Sequence, residues 1–368
     1  MSKTVLLTAG GTGGHLFPAQ ALASELIRRG WIVELATDER ADKYGTEFPA
    51  RKVHIISSAT IRGRNPIALA KTALKLLFGT LQARRVIKDL RPDVIIGFGG
   101  YPTFPPMYAA RLTGTPSILH EANAVMGRAN KLVAKGVSAI ATSVPIDGLP
   151  EDLSAKLIET GNPVRDAVIA ASELSYTPPR EGGELNLLVF GGSQGARFFS
   201  DLVPPALEKL PGDVRARLRL VQQCRPEDMD RVQKALNDLG VKAECASFFQ
   251  DLPQRIAQSH LVVCRSGASS VSELSVLGRP SILVPLPGAI DQDQAANAKV
   301  LEKAGGAWPI RQIDFNSDRL AKEIMRFMEN PGMLAEAAAN AKRVAKPDAV
   351  ERLADLLEKV AENKGERP

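Results

Sequence analysis

The sequence is short of several residue types whose abundance would announce a function. Cysteine is scarce: Cys224, Cys245 and Cys264 are odd in number and share no metal-ligand spacing. A disulfide-stapled scaffold is excluded, and reduced, mostly structural thiols in a cytosolic compartment are expected. Aromatics make up 5% of the residues, too few for the stacking platforms that grip single-stranded nucleic acid. No uninterrupted apolar run reaches the roughly 18 residues of a membrane-spanning helix. The apolar run at 5–9 is too short for a signal-peptide core and lacks a cleavage site, so a chain kept in the cytoplasm is expected. The rest is ordinary globular composition, 44% hydrophobic and 24% charged. At 368 residues the chain exceeds the size at which a single core usually divides, so two domains are expected.

Hydrophobic patterning supplies the organisation. Residues 3–8 are β-branched and apolar, then Gly10-Gly11-Thr12-Gly13-Gly14 breaks the run. Helical spacing follows over 16–29 (Leu16, Ala19, Leu22, Ala23, Leu26, Ile27), stops at Gly30, and gives way to a strand at 31–36. That is a strand–loop–helix–strand unit suited to a right-handed crossover. Further strands are predicted at 93–97, 117–120 and 139–142. The pattern restarts with a strand at 184–190, the loop Gly191-Gly192-Ser193-Gln194-Gly195 and another helix. Strands at 219–222, 261–264 and 281–284 follow. Two α/β repeats are therefore predicted, divided near Gly161-Asn162-Pro163, with a final helix at 349–361.

Glycine loops between a strand and a helix let backbone N–H groups approach phosphate, aided by the helix N-terminus. For either loop alone, a tight α/β turn is an equally open reading. The first loop departs from G-x-G-x-x-G, although Asp38 stands where the ribose-binding acid of a dinucleotide fold would. His15 follows that loop and is one of four histidines, a candidate general base or simply a polar helix start. A helix N-terminus disfavours the cationic ring, leaving it able to accept a proton. After the predicted strand at 261–264, Arg265 to Glu273 supplies a Gly/Ser turn and a helix start where a diphosphate can dock. Ser270 and Glu273 also fit an S-x-x-E capping box, so Glu273 is either a cap or a carboxylate for ribose hydroxyls. Asp291, Gln292, Asp293, Gln294 and Asn297 form a polar cluster that reads as sugar-binding or as a solvated helix start.

Charge is unevenly spread. Between Arg62 and Arg91 eight basic residues meet one acid, Asp89, an excess of +7 against +6 for the whole chain. Within 65–81, Ile67, Ala70, Leu74, Leu77, Phe78 and Leu81 fall on one helical stripe flanked by Lys71 and Lys75. This fits a helix lying on an anionic bilayer, and it fits a core-facing helix with solvated lysines. Nucleic acid is the weakest reading, because helix-turn-helix and aromatic signals are missing.

The ordered set of motifs is more specific than any member. Gly10-Gly11-Thr12-Gly13-Gly14-His15, Gly97-Phe98-Gly99-Gly100-Tyr101, His120-Glu121-Ala122-Asn123, Gly161-Asn162-Pro163-Val164-Arg165, Gly191-Gly192-Ser193-Gln194-Gly195-Ala196 and Ser266 to Glu273 occur in that order. Together they resemble the MurG family, the family 28 glycosyltransferases that add N-acetylglucosamine to the lipid-linked muramyl-pentapeptide precursor of peptidoglycan. The resemblance runs from about Val5 to the last helix.

It implies an α/β fold of the GT-B type, two Rossmann-like doubly wound parallel-sheet domains facing a central cleft. They would span 1–162, joined by the C-terminal helix 345–368, and 163–344. UDP-N-acetylglucosamine is implied in the second half, with Ser193 and the turn Ala268, Ser269 and Ser270 on the diphosphate. Glu273 would take the ribose, Phe249 lie beside the uracil and Gln294 bind sugar hydroxyls. Thr12, Gly13 and Gly14, with Asn123 and Arg165, would complete the donor and acceptor cleft. The implied reaction is an inverting single displacement making a β-1,4 linkage, with His15 as base or as the group positioning the acceptor. No cofactor and no metal is implied. Because the acceptor carries a polyprenyl tail, the resemblance favours membrane docking through Ile67, Lys71, Leu74, Lys75 and Phe78 at the anionic cytoplasmic face of the inner membrane. Other cell-wall synthesis proteins are implied partners. Two departures stand out: Asp293-Gln294 where the family commonly has paired glutamines, and Pro102-Thr103 after Tyr101. The rival functions are an NAD-dependent dehydrogenase and a non-catalytic UDP-sugar-binding module.

Overall fold

The computed structural model describes residues 2–10, 13–39, 48–59, 65–193, 195–288 and 292–363. Gly11, Thr12, Arg62, Arg64, Gln194 and Asp291, singled out in the sequence, lie outside the described residues, as does the side chain of Ile67. The chain forms two compact units, one running to Arg165 and resuming at Pro347, the other from Asp166 to Lys346.

Among the described residues, the first unit holds seven strands: β1 (Thr4–Thr8), β2 (Ile32–Thr37), β3 (Lys52–Ile55), β4 (Val94–Gly97), β5 (Ser117–Glu121), β6 (Ala139–Thr142) and β7 (Leu157–Glu159). They make one sheet in the order β3-β2-β1-β4-β5-β6-β7, every pairing parallel. The second unit holds β8 (Leu185–Phe190), β9 (Leu218–Gln223), β10 (Lys242–Ala246), β11 (Leu261–Cys264), β12 (Ser281–Leu283) and β13 (Ala307–Pro309), ordered β10-β9-β8-β11-β12-β13 and again parallel. Both are doubly wound.

Parallel sheets are covered by helices on both faces, so their central strands read as continuous apolar runs. In β1 the side chains alternate between two cores. Val5 and Leu7 join Leu22, Val33 and Ile96 on one face, whereas Leu6 joins Ile95, Met107 and Leu119 on the other. The last helix, Ala349–Glu362, adds Leu353 and Leu357 to the first of these cores, both fully buried. Each contributes roughly 2 kcal/mol of burial. Arg29 also bonds Asp355 at 2.7 Å and Glu358 at 3.0 Å, but half-exposed pairs of this kind contribute only about 0–1 kcal/mol. The apolar face therefore ties this helix to the first unit.

Two local expectations change. The first helix spans Gly13–Arg28, so Gly13 and Gly14 lie in its opening turn and His15 is its third residue. The basic helix is longer than its stripe, Pro66–Leu90, and the stripe is not its core face. Gly79, Thr80, Ala83 and Ile87 are buried, while Leu74, Leu77, Phe78 and Leu81 are exposed by 55–66%. Gly79 makes this packing possible, because a Cβ there would overlap the Ser57 carbonyl. No helix among the described residues is long and apolar enough to cross a membrane.

Candidate functional site

In a doubly wound sheet, ligands bind beyond the carboxyl ends of the strands, where the strand order reverses. In the first unit that point lies between β1 and β4. The connections leaving these strands, 9–13 and 98–103, are tied by the Gly10 N–H donating to the Gly99 carbonyl at 3.2 Å. Between them sits the half-buried ring of His15. Its Nδ1 lies 2.9 Å from the Phe98 carbonyl oxygen. A carbonyl only accepts, so Nδ1 carries a proton, and in the neutral ring Nε2 carries the lone pair. Glycines make room for the ring: a Cβ on Gly10 or Gly100 would lie 3.3 Å from His15 Cδ2. Gly99 and Gly100 also take φ of +91° and +81°, a region other residues rarely adopt.

A buried polar layer supports this cradle. His120 is fully buried with Nε2 3.3 Å from the Gly161 carbonyl and its ring 5.3 Å from that of Phe98. Burial pushes its pKa down to about 4, so it is neutral at pH 7. Its neighbour Glu121 accepts from Asn123 N (3.0 Å), Asn123 Nδ2 (3.1 Å), Gly127 N (2.9 Å) and Asn130 Nδ2 (2.7 Å). Burial pushes this carboxyl upward, against the pull of those four donors. Asn130 in turn packs where a Cβ of Gly99 would touch it at 3.4 Å. The Arg165 guanidinium stacks 4.2 Å from the ring centre of Phe17, two residues beyond His15. Gly13, Gly14, His15, Asn123 and Arg165 are thus linked through this layer and the first turns of one helix.

In the second unit the reversal lies between β8 and β11. Gly191 has no room for a side chain, since a Cβ would overlap the Ala196 backbone, and Gly192 and Gly195 have φ of +86° and +65°. Ser193 is exposed on this loop. Beyond β11 comes the helix Ala268–Leu277, whose N-cap is Gly267 and which has no side-chain cap. Its first N–H groups lack intrahelical partners, which makes an anion site. The capping box is thereby overturned: Ser270 is the third helical residue, and Glu273 is a buried mid-helix carboxylate (5% exposed). Ala268, Ser269 and Ser270 form the opening turn. Ser266 Oγ donates to the Gln294 carbonyl at 2.8 Å and Asn297 Nδ2 donates to the Ser266 carbonyl at 3.2 Å, which brings Gln294 beside that turn. Gln294 Oε1 accepts from Leu286 N at 3.0 Å, leaving the side-chain amide to act as a donor. Phe249 is buried beneath the Arg255 guanidinium at 4.4 Å.

Three residues of these sites were given no role in the sequence, Gln223 unnoticed and Glu121 and Arg265 quoted only as members of motifs. Glu121 is the anchor of the 123–130 segment. Buried Arg265 props the exit of β12, donating to Val284 O (3.1 Å), Pro285 O (3.3 Å) and Gln312 Oε1 (2.6 Å). Gln223 ends β9 and bonds the glycine loop. A polar residue closing an apolar strand is the sequence signal all three share. Away from both reversals, Lys71, Leu74, Lys75 and Phe78 are exposed on the Pro66–Leu90 helix. A groove of about 930 Å³ opens between the far half of that helix and β3, lined by His54, Phe78, Leu81, Arg84, Arg85 and Lys88.

Comparison with known proteins agrees with this fold. The model of the glycosyltransferase family 28 N-terminal domain matches residues 5–142, and that of the C-terminal domain matches 186–353. A protein of Bradyrhizobium diazoefficiens named "UDP-N-acetylglucosamine--N-acetylmuramyl-(pentapeptide) pyrophosphoryl-undecaprenol N-acetylglucosamine transferase" is 54% identical over 362 residues, covering 98% of this chain and 99% of its own. A protein of the same name from Rhodopseudomonas palustris is 54% identical over 358 residues, covering 97% and 98%. Among solved structures, Acinetobacter baumannii MurG superposes with a TM-score of 0.77 at 29% identity, covering 97% of this chain and 99% of that one.

The buried His120 has a consequence for acid stability. Its pKa is about 4 in the fold against 6.5 for a free imidazole, so the unfolded chain takes up the proton first as pH falls. Its stabilising contribution is complete above pH 6.5 and should shrink by roughly 3 kcal/mol between pH 6.5 and 4. Urea unfolding of wild type and His120→Gln across that range should show a shallower decline in the variant. Parallel declines would mean that the folded protein already protonates His120.

Proposed function

The chain belongs to glycosyltransferase family 28, and from that membership we infer that it transfers N-acetylglucosamine from UDP-N-acetylglucosamine to the C4 hydroxyl of the muramic acid in undecaprenyl-pyrophosphoryl-muramyl-pentapeptide. The product is the disaccharide lipid precursor of peptidoglycan. The observation that carries this reading is the near-full-length identity to relatives named for that transfer. Neither a dinucleotide-dependent oxidoreductase nor a passive UDP-sugar carrier accounts for it.

The division of labour follows from the chemistry of each strand-order reversal. UDP-N-acetylglucosamine binds in the second unit, its diphosphate on Ser193 and the opening turn Ala268, Ser269 and Ser270. There the unpaired N–H groups and the helix dipole offset the charge that builds on departing UDP. Glu273 receives the ribose hydroxyls, Phe249 flanks the uracil, and the Gln294 amide donates to a sugar hydroxyl. The acceptor is held by Thr12, Gly13, Gly14, Asn123 and Arg165. His15 Nε2 takes the proton from the C4 hydroxyl as its oxygen forms the bond to the anomeric carbon and the bond to the phosphate oxygen breaks. One displacement turns an α-linked donor into a β-1,4 product. Nδ1–H donating to Phe98 supports this role, because it fixes the tautomer with a basic Nε2.

The acceptor's polyprenyl tail is embedded in a bilayer, so the enzyme works at the cytoplasmic face of the inner membrane as a peripheral protein. Exposed Leu74 and Phe78 beside Lys71 and Lys75 support docking through Pro66–Leu90, since an exposed apolar stripe with flanking cations suits an anionic surface. Ile67 belongs to the same stripe by its sequence position.

UDP release from UDP-N-acetylglucosamine should depend on the lipid-linked muramyl acceptor; release that ignores the acceptor, or none at all, would refute the assigned reaction. In the same assay His15→Ala should lower turnover by about 10²–10⁴-fold while UDP affinity stays at the wild-type value. An unchanged rate would remove His15 from the proton transfer. Changing Lys71 and Lys75 together to Glu should weaken cosedimentation with vesicles containing anionic lipid on the order of a hundredfold; equal sedimentation of variant and wild type would locate docking elsewhere.

A further inference from the structure

Resting on the donor reading above, Ser193 and Phe249 serve opposite ends of one nucleotide, yet they leave different strands, β8 and β10. The sheet places β9 between these two. We propose that Gln223, the last residue of β9, is a positioning residue for the donor: its amide clamps the diphosphate loop to the segment that carries the uracil-side phenylalanine. The side chain is buried, 5% exposed. Its Oε1 accepts from Gly191 N at 2.9 Å, and its Nε2 donates to the Gly192 carbonyl at 3.1 Å and to the Ser247 carbonyl at 3.1 Å. Both amide hydrogens are used, and the orientation is unambiguous. A flipped amide would set hydrogens against the Gly191 N–H and its oxygen against two carbonyls.

The bonds do more than fill a gap. The glycine loop has no ladder of its own, and Gly192 holds a φ of +86° that glycine adopts freely, so bonds from outside the loop set its course. Peptide units are planar and trans, so a carbonyl turned inward sends the N–H of the next residue the other way. Drawing in the Gly192 and Ser247 carbonyls therefore turns the Ser193 and Phe248 N–H groups away from the buried amide. One side chain sets the orientation of backbone donors on both sides of β9. An isosteric apolar residue would leave three part-buried backbone groups without this partner, and a carboxylate would keep one bond while facing two carbonyls. Leaving such groups unpaired is costly, and the loops would rearrange to reach water.

The test compares wild type with Gln223→Met and Gln223→Glu in UDP calorimetry, in steady-state kinetics against each substrate, and in thermal unfolding. The clamp predicts that Gln223→Met raises the Kd for UDP and the KM for UDP-N-acetylglucosamine by about tenfold, with the acceptor KM unchanged and unfolding still cooperative. Gln223→Glu should be impaired in donor KM at least as much. A donor KM within twofold of wild type in either folded variant overturns the clamp. So does a fall in kcat with both KM values unchanged, which a merely structural role would give, and so does failure of both variants to fold. Wild type that binds no UDP would instead overturn the donor reading, and the clamp with it; wild type that binds while the folded variants bind equally well would overturn the clamp alone.

Discussion

Between β1 and β4, and again between β8 and β11, the order in which strands join the sheet reverses. Connections leaving two neighbouring strands then turn to opposite faces and leave a crevice at the strands' carboxyl ends. No side chain creates that opening; it follows from starting a parallel sheet in its middle and building outward both ways. Each unit inherits one opening, and the residues around it differ because they serve different chemistry. The groups proposed for the proton transfer and for the diphosphate, His15 and Ser193 with the turn Ala268, Ser269 and Ser270, stand at or beside one of these reversals.

The two openings are furnished unequally. In the first, glycines clear space for an imidazole, and a backbone carbonyl fixes which nitrogen is basic. Behind it a neutral His120 and a fourfold-bonded Glu121 hold the surrounding backbone without adding a second proton acceptor at the surface. Among the described residues, the second opening shows no comparable base. A helix N-terminus without a side-chain cap offers N–H groups, and a buried carboxylate waits within the same helix. The proposed roles, proton transfer at the first opening and anion binding at the second, are the two requirements of a displacement in which a hydroxyl attacks and a nucleoside diphosphate leaves.

Much of this was legible in the sequence, and the failures have a common physical origin. Central strands such as β1, β4, β8 and β11 are buried on both faces and appear as apolar runs. The four strands that patterning missed, β3, β7, β10 and β13, are the four sheet edges. β3, β7 and β13 have only three or four residues, β3 and β7 are largely exposed, and β10 is half-buried with charged residues in it, so neither period nor run length marks them. The capping reading of Glu273 failed because S-x-x-E spacing describes a helix start without locating it; the helix begins earlier, at Ala268. The stripe at 67–81 misled in another way. Periodicity reports an apolar face but not what lies against it, and here Gly79 lets the opposite face approach the Ser57 carbonyl and Pro105. Gln223 escaped notice, and Arg265 and Glu121, quoted only as members of motifs, kept their roles hidden, because their partners lie on other loops and strands.

The central claim is that the nucleotide occupies the second unit's reversal and leaves the first for the acceptor. Amide hydrogen exchange of the protein with and without UDP, read by peptide, tests it most directly. The account predicts slowed exchange in peptides covering 191–196, 247–249 and 266–273, with those covering 9–15 and 98–103 unchanged. Protection of the first unit's loops by UDP, with the second unit's peptides unaffected, would contradict it.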